Sequence, residues 1–137
     1  MVEPTTGRYV PSGWAMTHLV NPIVGRLGGT LVLIVPGRTT GEPRSVPLGA
    51  PFEEAGILYL VGGGGETHWA RNLRAAGHGQ IRLRGATRPF RAVELAGAER
   101  DRIVAAYRAK LGRRAEGFFR ELPDPADHPV FRVEWTA

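Results

Sequence analysis

Gly37-Arg38-Thr39-Thr40-Gly41-Glu42-Pro43-Arg44-Ser45-Val46-Pro47-Leu48 lies between two short apolar runs, Leu31 to Val35 and Ile57 to Val61. Both runs are rich in β-branched or aromatic residues and are bounded by Gly or Pro, the pattern of buried strands. The stretch between them holds two arginines, the adjacent hydroxyls of Thr39 and Thr40, and Gly and Pro where the chain must turn. Guanidinium forks, hydroxyls and open backbone N–H groups in one turn suit an anion at a sheet edge. A solvated polar hairpin explains the same composition, so the flanking sequence has to decide.

The second strand is expected from Arg44 to about Phe52. Pro47 and Pro51 interrupt it and Pro43 precedes it, so it belongs at an edge or carries a bulge. Glu53-Glu54-Ala55-Gly56 turns the chain into the third strand, Ile57 to Val61. Gly62-Gly63-Gly64-Gly65 follows, and then a helix that starts near Thr67 and ends at Gly77. A glycine-rich turn from strand to helix offers bare N–H groups and a positive helix end to an anion. It is neither a Walker A loop nor a dinucleotide fingerprint: no Lys-Ser/Thr pair follows, and there is no βαβ repeat. In the helix, Trp69 and Leu73 share the inward face, while Arg71 and Arg74 are expected to face solvent. Asn72 lies on neither stripe and reads as a half-buried amide or a ligand donor.

Further along, Gln80 to Arg84 and Pro89 to Leu95 read as strands. Ala98 to Leu111 reads as a helix ended by Gly112, Arg113 to Leu122 as a shorter one, and Val130 to Trp135 as a last strand. Toward the N-terminus, residues 1–12 read as a flexible arm, and Trp14 to Leu27 as an amphipathic helix that covers the core or lies on a membrane surface. Residues 13–137 then form one domain. The fold class is mainly β with peripheral helices (α+β): a small barrel or strongly bent antiparallel sheet, not alternating βαβ units.

The chain has 137 residues, no cysteine and a formal net charge of +5. Disulfides, thiol nucleophiles and thiolate metal sites are thereby excluded, and a reducing cytoplasmic setting fits. The basic balance points to a polyanionic partner: nucleic acid, anionic lipid or a phosphorylated cofactor. His18, His68, His78 and His128 show no metal-ligand spacing, so no metal is expected. No nucleophile elbow or acid–base pair is recognisable and no catalytic residue is assigned, so an organic cofactor is expected to carry any chemistry.

The order G-R-x-T-G-x-P-R-x-x-P-L, a Gly-Gly turn after the next strand, then H-W-x-x-N-L-R-A, resembles the deazaflavin-dependent nitroreductase family. The resemblance covers about Leu31 to Leu83 well, and His128-Pro129-Val130-Phe131 more loosely. It implies a Greek-key-like split β-barrel of the flavin-reductase kind. It also implies coenzyme F420 as cofactor and hydride transfer to a quinone, nitroaromatic or other unsaturated small-molecule acceptor. By the same resemblance Arg38 and Arg44 match the residues that hold the cofactor's phosphate and tail, with Thr40, beside Thr39, as a hydroxyl of that turn. Pro47 and Leu48 match the strand against the ring, and Gly62, Gly63, Gly64 and Gly65 the turn beneath it. His68, Trp69 and Asn72 match the helix closing the pocket.

This chain departs from that pattern. Thr39 stands where a cation is usual, the loop before Gly-Gly is glycine, and Gly49 replaces an aromatic. FMN therefore stays open as the alternative cofactor. So does a non-catalytic basic module built on Arg82, Arg84, Arg88 and Arg91, although nucleic acid is not the expected partner. A homodimer and peripheral membrane contact through residues 14–27 complete the expectations.

Overall fold

The computed structural model describes residues 29–137. Seven strands form one antiparallel sheet: β1 (Leu31–Pro36), β2 (Pro43–Gly49), β3 (Phe52–Glu54), β4 (Ile57–Val61), β5 (His78–Leu83), β6 (Ala86–Glu94) and β7 (Val130–Trp135). Their spatial order is β2-β1-β5-β6-β7-β4-β3. The sheet curls into a half-barrel of the split-barrel type, as the family resemblance implied. Helix α1 (His68–Ala76) follows β4, and α2 (Gly97–Leu111) and α3 (Glu116–Glu121) separate β6 from β7. The N-terminal arm and the amphipathic helix expected over residues 14–27 lie outside the described residues.

The prolines predicted the sheet's edge. Among the described residues, β2 pairs only with β1, at one end of the strand order. Leu31 lies opposite Gly49 but Val32 lies opposite Pro47, so Leu48 is an extra, bulged residue. The long second strand expected from sequence is two strands instead. Ala50-Pro51 interrupts it, and Phe52–Glu54 pairs with β4 rather than with β1.

Two apolar clusters lie on opposite faces of the sheet, and β4 serves both. Its Leu58 and Leu60 join Leu33, Trp69, Leu73, Ile81, Phe90 and Phe131. Its Tyr59 and Val61 join Phe52, Ile103, Phe118, Phe119 and Leu122. Alternate residues of a strand point to opposite faces. A strand covered on both faces therefore reads as one continuous apolar run, as Ile57 to Val61 does.

Helix α1 obeys its local signals. Thr67 is its N-cap, with Oγ1 accepting from the Ala70 N–H. Gly77 closes it in the left-handed region at φ 77°, and its N–H donates to Leu73 O at 2.7 Å. Trp69 and Leu73 are buried and anchor the helix to β1 and the first cluster. That docking sets the first turn of α1 against the loop after β1.

Candidate functional site

The loop between β1 and β2 is closed by its own backbone. Gly37 N–H donates to Glu42 O, Gly41 N–H donates to Gly37 O, each at 2.8 Å, and Glu42 N–H donates to Thr40 Oγ1. Gly41 takes φ 79°, where glycine is favoured. The loop is thus a defined turn, and its side chains stand between β2 and α1.

Arg38 joins the turn to the helix. Its backbone N–H and its Nη1 both donate to Asn72 Oδ1, at 3.0 and 2.7 Å. Asn72 is only 7% exposed. A buried carbonyl that accepts twice from one arginine holds both the start of the turn and the guanidinium. Asn72 thus ties the turn to α1 through Arg38. Arg38 Nη2 then reaches His68 Nδ1 at 3.4 Å.

A cavity of about 450 Å³ opens beside this constellation. Arg38, Thr39, Thr40 and Arg44 line it from the turn and edge strand, and His68, Trp69 and Asn72 from α1. Val35, Gly37, Ser45, Val46 and Thr67 also line it, and among the described residues at this wall none is a carboxylate. Burial and nearby Arg71 hold the Arg38 guanidinium below its ordinary value. Lost hydration, then Arg38 and Arg71, hold the His68 imidazole below the usual histidine value. Gathered positive charge with hydroxyls alongside is what an anion needs. The donor set therefore fits a phosphate-bearing cofactor. Trp69 supplies an apolar wall, with its ring 6.1 Å from that of Phe131.

Several expected site residues lie elsewhere. Pro47 and Leu48 are half-buried on β2 but outside the cavity lining. Gly62, Gly63, Gly64 and Gly65 are buried and also outside it. The expectation of bare N–H groups in this second turn needs correction. Gly62, Gly63 and Gly65 N–H donate internally, to Pro129 O, Val61 O and Gly62 O. Glycine is required there by packing. A Cβ on Gly62 would sit 3.0 Å from Gly65 O and Pro129 Cδ, and one on Gly63 3.0 Å from Phe118 Cδ2.

His128 fastens that turn from below. It is fully buried, with Nδ1 3.1 Å from Gly62 O and Nε2 2.6 Å from Leu122 O. Tyr107 borders the same turn, and burial pushes its phenol up to about 12. Both residues belong to the packing behind the turn, away from the cavity lining.

Arg71 corrects another expectation. It is half-buried and acts electrostatically on Arg38 and His68 rather than standing in solvent. The signal was present in the sequence: Arg71 follows His68 by three positions, and such residues share a helix face. Ser45 and Val46 were not singled out either, although they directly follow Arg44 in the edge strand. The basic-module alternative loses two of its arginines to contacts within the chain. Arg91 is ion-paired with Glu134, and Arg88 lies 4.1 Å over the Trp135 ring. Among the described residues, no helix is long and apolar enough to cross a membrane, and no cluster of metal-binding side chains occurs.

Comparison with known proteins agrees with the cavity's chemistry. The family model for the F420H(2)-dependent quinone reductases matches residues 12–123. Among solved structures, an F420-H2 dependent reductase (FDR-A) is 28% identical, with a TM-score of 0.54 over 77% of this chain and 94% of its own. A structure described as a domain-swapped dimer is 25% identical, with a TM-score of 0.54 over 90% of this chain and 92% of its own. An F420 reductase at 19% identity shares the fold, with a TM-score of 0.51 over 93% of this chain and 97% of its own. No curated protein matches the sequence. The FMN alternative is not favoured by these relationships. A turn held by Arg38 and Asn72, described lining residues without a carboxylate and a match over most of the chain converge: this protein belongs to the F420H(2)-dependent quinone reductase family and is an F420-dependent oxidoreductase.

Proposed function

We propose that the cavity between the Arg38 turn and α1 grips the anionic, phosphate-bearing part of F420, and that the electron acceptor is a quinone or nitroaromatic. When bound, the reduced deazaflavin supplies the hydride. Arg38, Arg44, Thr39 and Thr40 bind the anion, Asn72 holds Arg38 in place, and Trp69 gives an apolar wall toward the ring. The protein's contribution is orientation and charge matching. The observation that carries this reading is the double donation from Arg38 to buried Asn72 Oδ1 beside Arg44 and His68. It fixes a guanidinium before any ligand arrives, so little ordering is left for binding to supply.

The resemblance to a domain-swapped dimer supports a homodimer as the working assembly. The test of the site is a titration of the purified protein with F420, followed by fluorescence quenching. Saturable binding that weakens in Arg38→Ala and Arg44→Ala is expected, and no binding at micromolar F420 would sink the reading. Menaquinone and a nitroaromatic, offered separately to the reduced complex, identify the acceptor.

A further inference from the structure

His68 is the first residue of α1, and its Nδ1 meets the Arg38 guanidinium at 3.4 Å. A guanidinium only donates, so this contact needs a lone pair on Nδ1. The imidazole is therefore neutral, with its hydrogen on Nε2, an assignment inferred from the contact. The charged neighbours among the described residues support that state. Arg38 faces the ring from the turn, Arg71 stands one helical turn along α1, and Arg44 lines the same cavity from β2. The positive end of α1 opposes a cation at this position as well. Lost hydration, with the positive charge of Arg38 and Arg71 behind it, thus favours neutral His68 in the free site.

An anion in the cavity reverses this balance. It neutralises the field of Arg38 and Arg71 and draws the Arg38 Nη2–H toward itself. The Nδ1 lone pair is then released, and a protonated Nδ1 can donate to the same anion as a charge-assisted hydrogen bond. We propose that His68 takes up one proton from solvent as a phosphate- or carboxylate-bearing ligand enters the cavity. The proposal rests on the reading of this cavity as the grip for F420's anionic part. It adds that the grip is tuned by pH and that His68 joins it only in the protonated form.

The sign follows from linkage. His68 binds its proton more tightly in the complex than in the free protein, so affinity rises as pH falls from the complex's midpoint toward the free midpoint. It levels off below the free midpoint, where His68 is already charged. Within that window affinity rises by up to about tenfold per pH unit, the limit for one proton.

The test is an NMR titration of the His68 ring in three samples: the free protein, the protein saturated with F420, and the protein in sodium sulfate against sodium chloride of equal ionic strength. Sulfate keeps its charge through this range. F420 affinity is measured in parallel across the same pH series for the wild type and for His68→Asn. The expected result is a higher His68 midpoint with both ligands and a flat pH dependence in the variant. A raised midpoint in sulfate without F420 binding would uphold the proton uptake and remove the F420 reading. F420 binding with an unmoved midpoint would overturn the proton uptake and leave the F420 reading standing. Binding of neither ligand overturns both. The wild-type titration decides the matter even where the variant folds poorly.

Discussion

Two turns in this chain carry the composition of an anion site: Gly37–Glu42, and the glycines at 62–65. The first closes on itself with short backbone bonds and leaves Arg38, Thr39 and Thr40 at the cavity wall. The second directs three of its N–H groups to carbonyls of the chain and packs against Pro129, Phe118 and Tyr107. One turn is built around side chains that face a cavity. The other is built around the absence of side chains, because a second cluster presses on it. Glycine abundance therefore has two different causes within one fold: freedom of φ at Gly41, and lack of room at Gly62 and Gly63.

That contrast predicts that damage behind the second turn is read in stability, and damage at the first in binding. The largest effect is expected from Phe118→Ala, which empties a fully buried site in the second cluster. It should lower unfolding free energy by about 3–5 kcal/mol in a urea titration. F420 affinity of the folded fraction should stay unchanged; a matching fall in affinity would break the separation.

Arg38→Ala should do the reverse. The loss of charge-assisted hydrogen bonds should weaken F420 binding by about 1.5–3 kcal/mol, read as a rise in Kd of about 10- to 150-fold by fluorescence. Gly63→Ala comes next, with about 1–3 kcal/mol of lost stability from overpacking against Phe118. Combined with Phe118→Ala it should cost less than the sum of the two, because the new methyl then has space. Strict additivity would show that the Phe118 contact is not what excludes a side chain there.

The smallest effect is expected at the helix cap. Thr67→Ala removes the cap of α1, the helix that carries His68 and Asn72 into the cavity. About 1 kcal/mol of stability should be lost, seen as a lowered Tm, with a modest rise in the F420 Kd. An unchanged Kd would mean that Arg38 and the buried anchors Trp69 and Leu73 hold the helix without its cap.

Much of the fold was legible because local chemistry decided it. Thr67 and Gly77 bound α1, the prolines placed β2 at an edge, and the run Val130 to Trp135 was readable as β7. In the site, Arg38, Thr39, Thr40, Arg44, His68, Trp69 and Asn72 were named from the sequence and do surround one cavity. The split of the second strand at Ala50-Pro51 was missed, because Phe52 pairs with Tyr59 on a strand still to come. The burial of His128 was missed because its ring meets Gly62, 66 positions away.

By itself, then, the sequence determined the periods, the turns, the caps and the supply of positive charge. Those depend on residues within a few positions of one another, whose conformational preferences act before any long-range contact forms. Only the tertiary structure decided which turn faces a cavity and which is pressed shut. It also brought Arg38, Asn72, Arg71 and His68 together across the gap between a sheet edge and a helix. The physical reason is that a backbone N–H or a guanidinium is equally able to meet protein or ligand. Its partner is chosen by what the docking of α1 and the second cluster bring within hydrogen-bond distance.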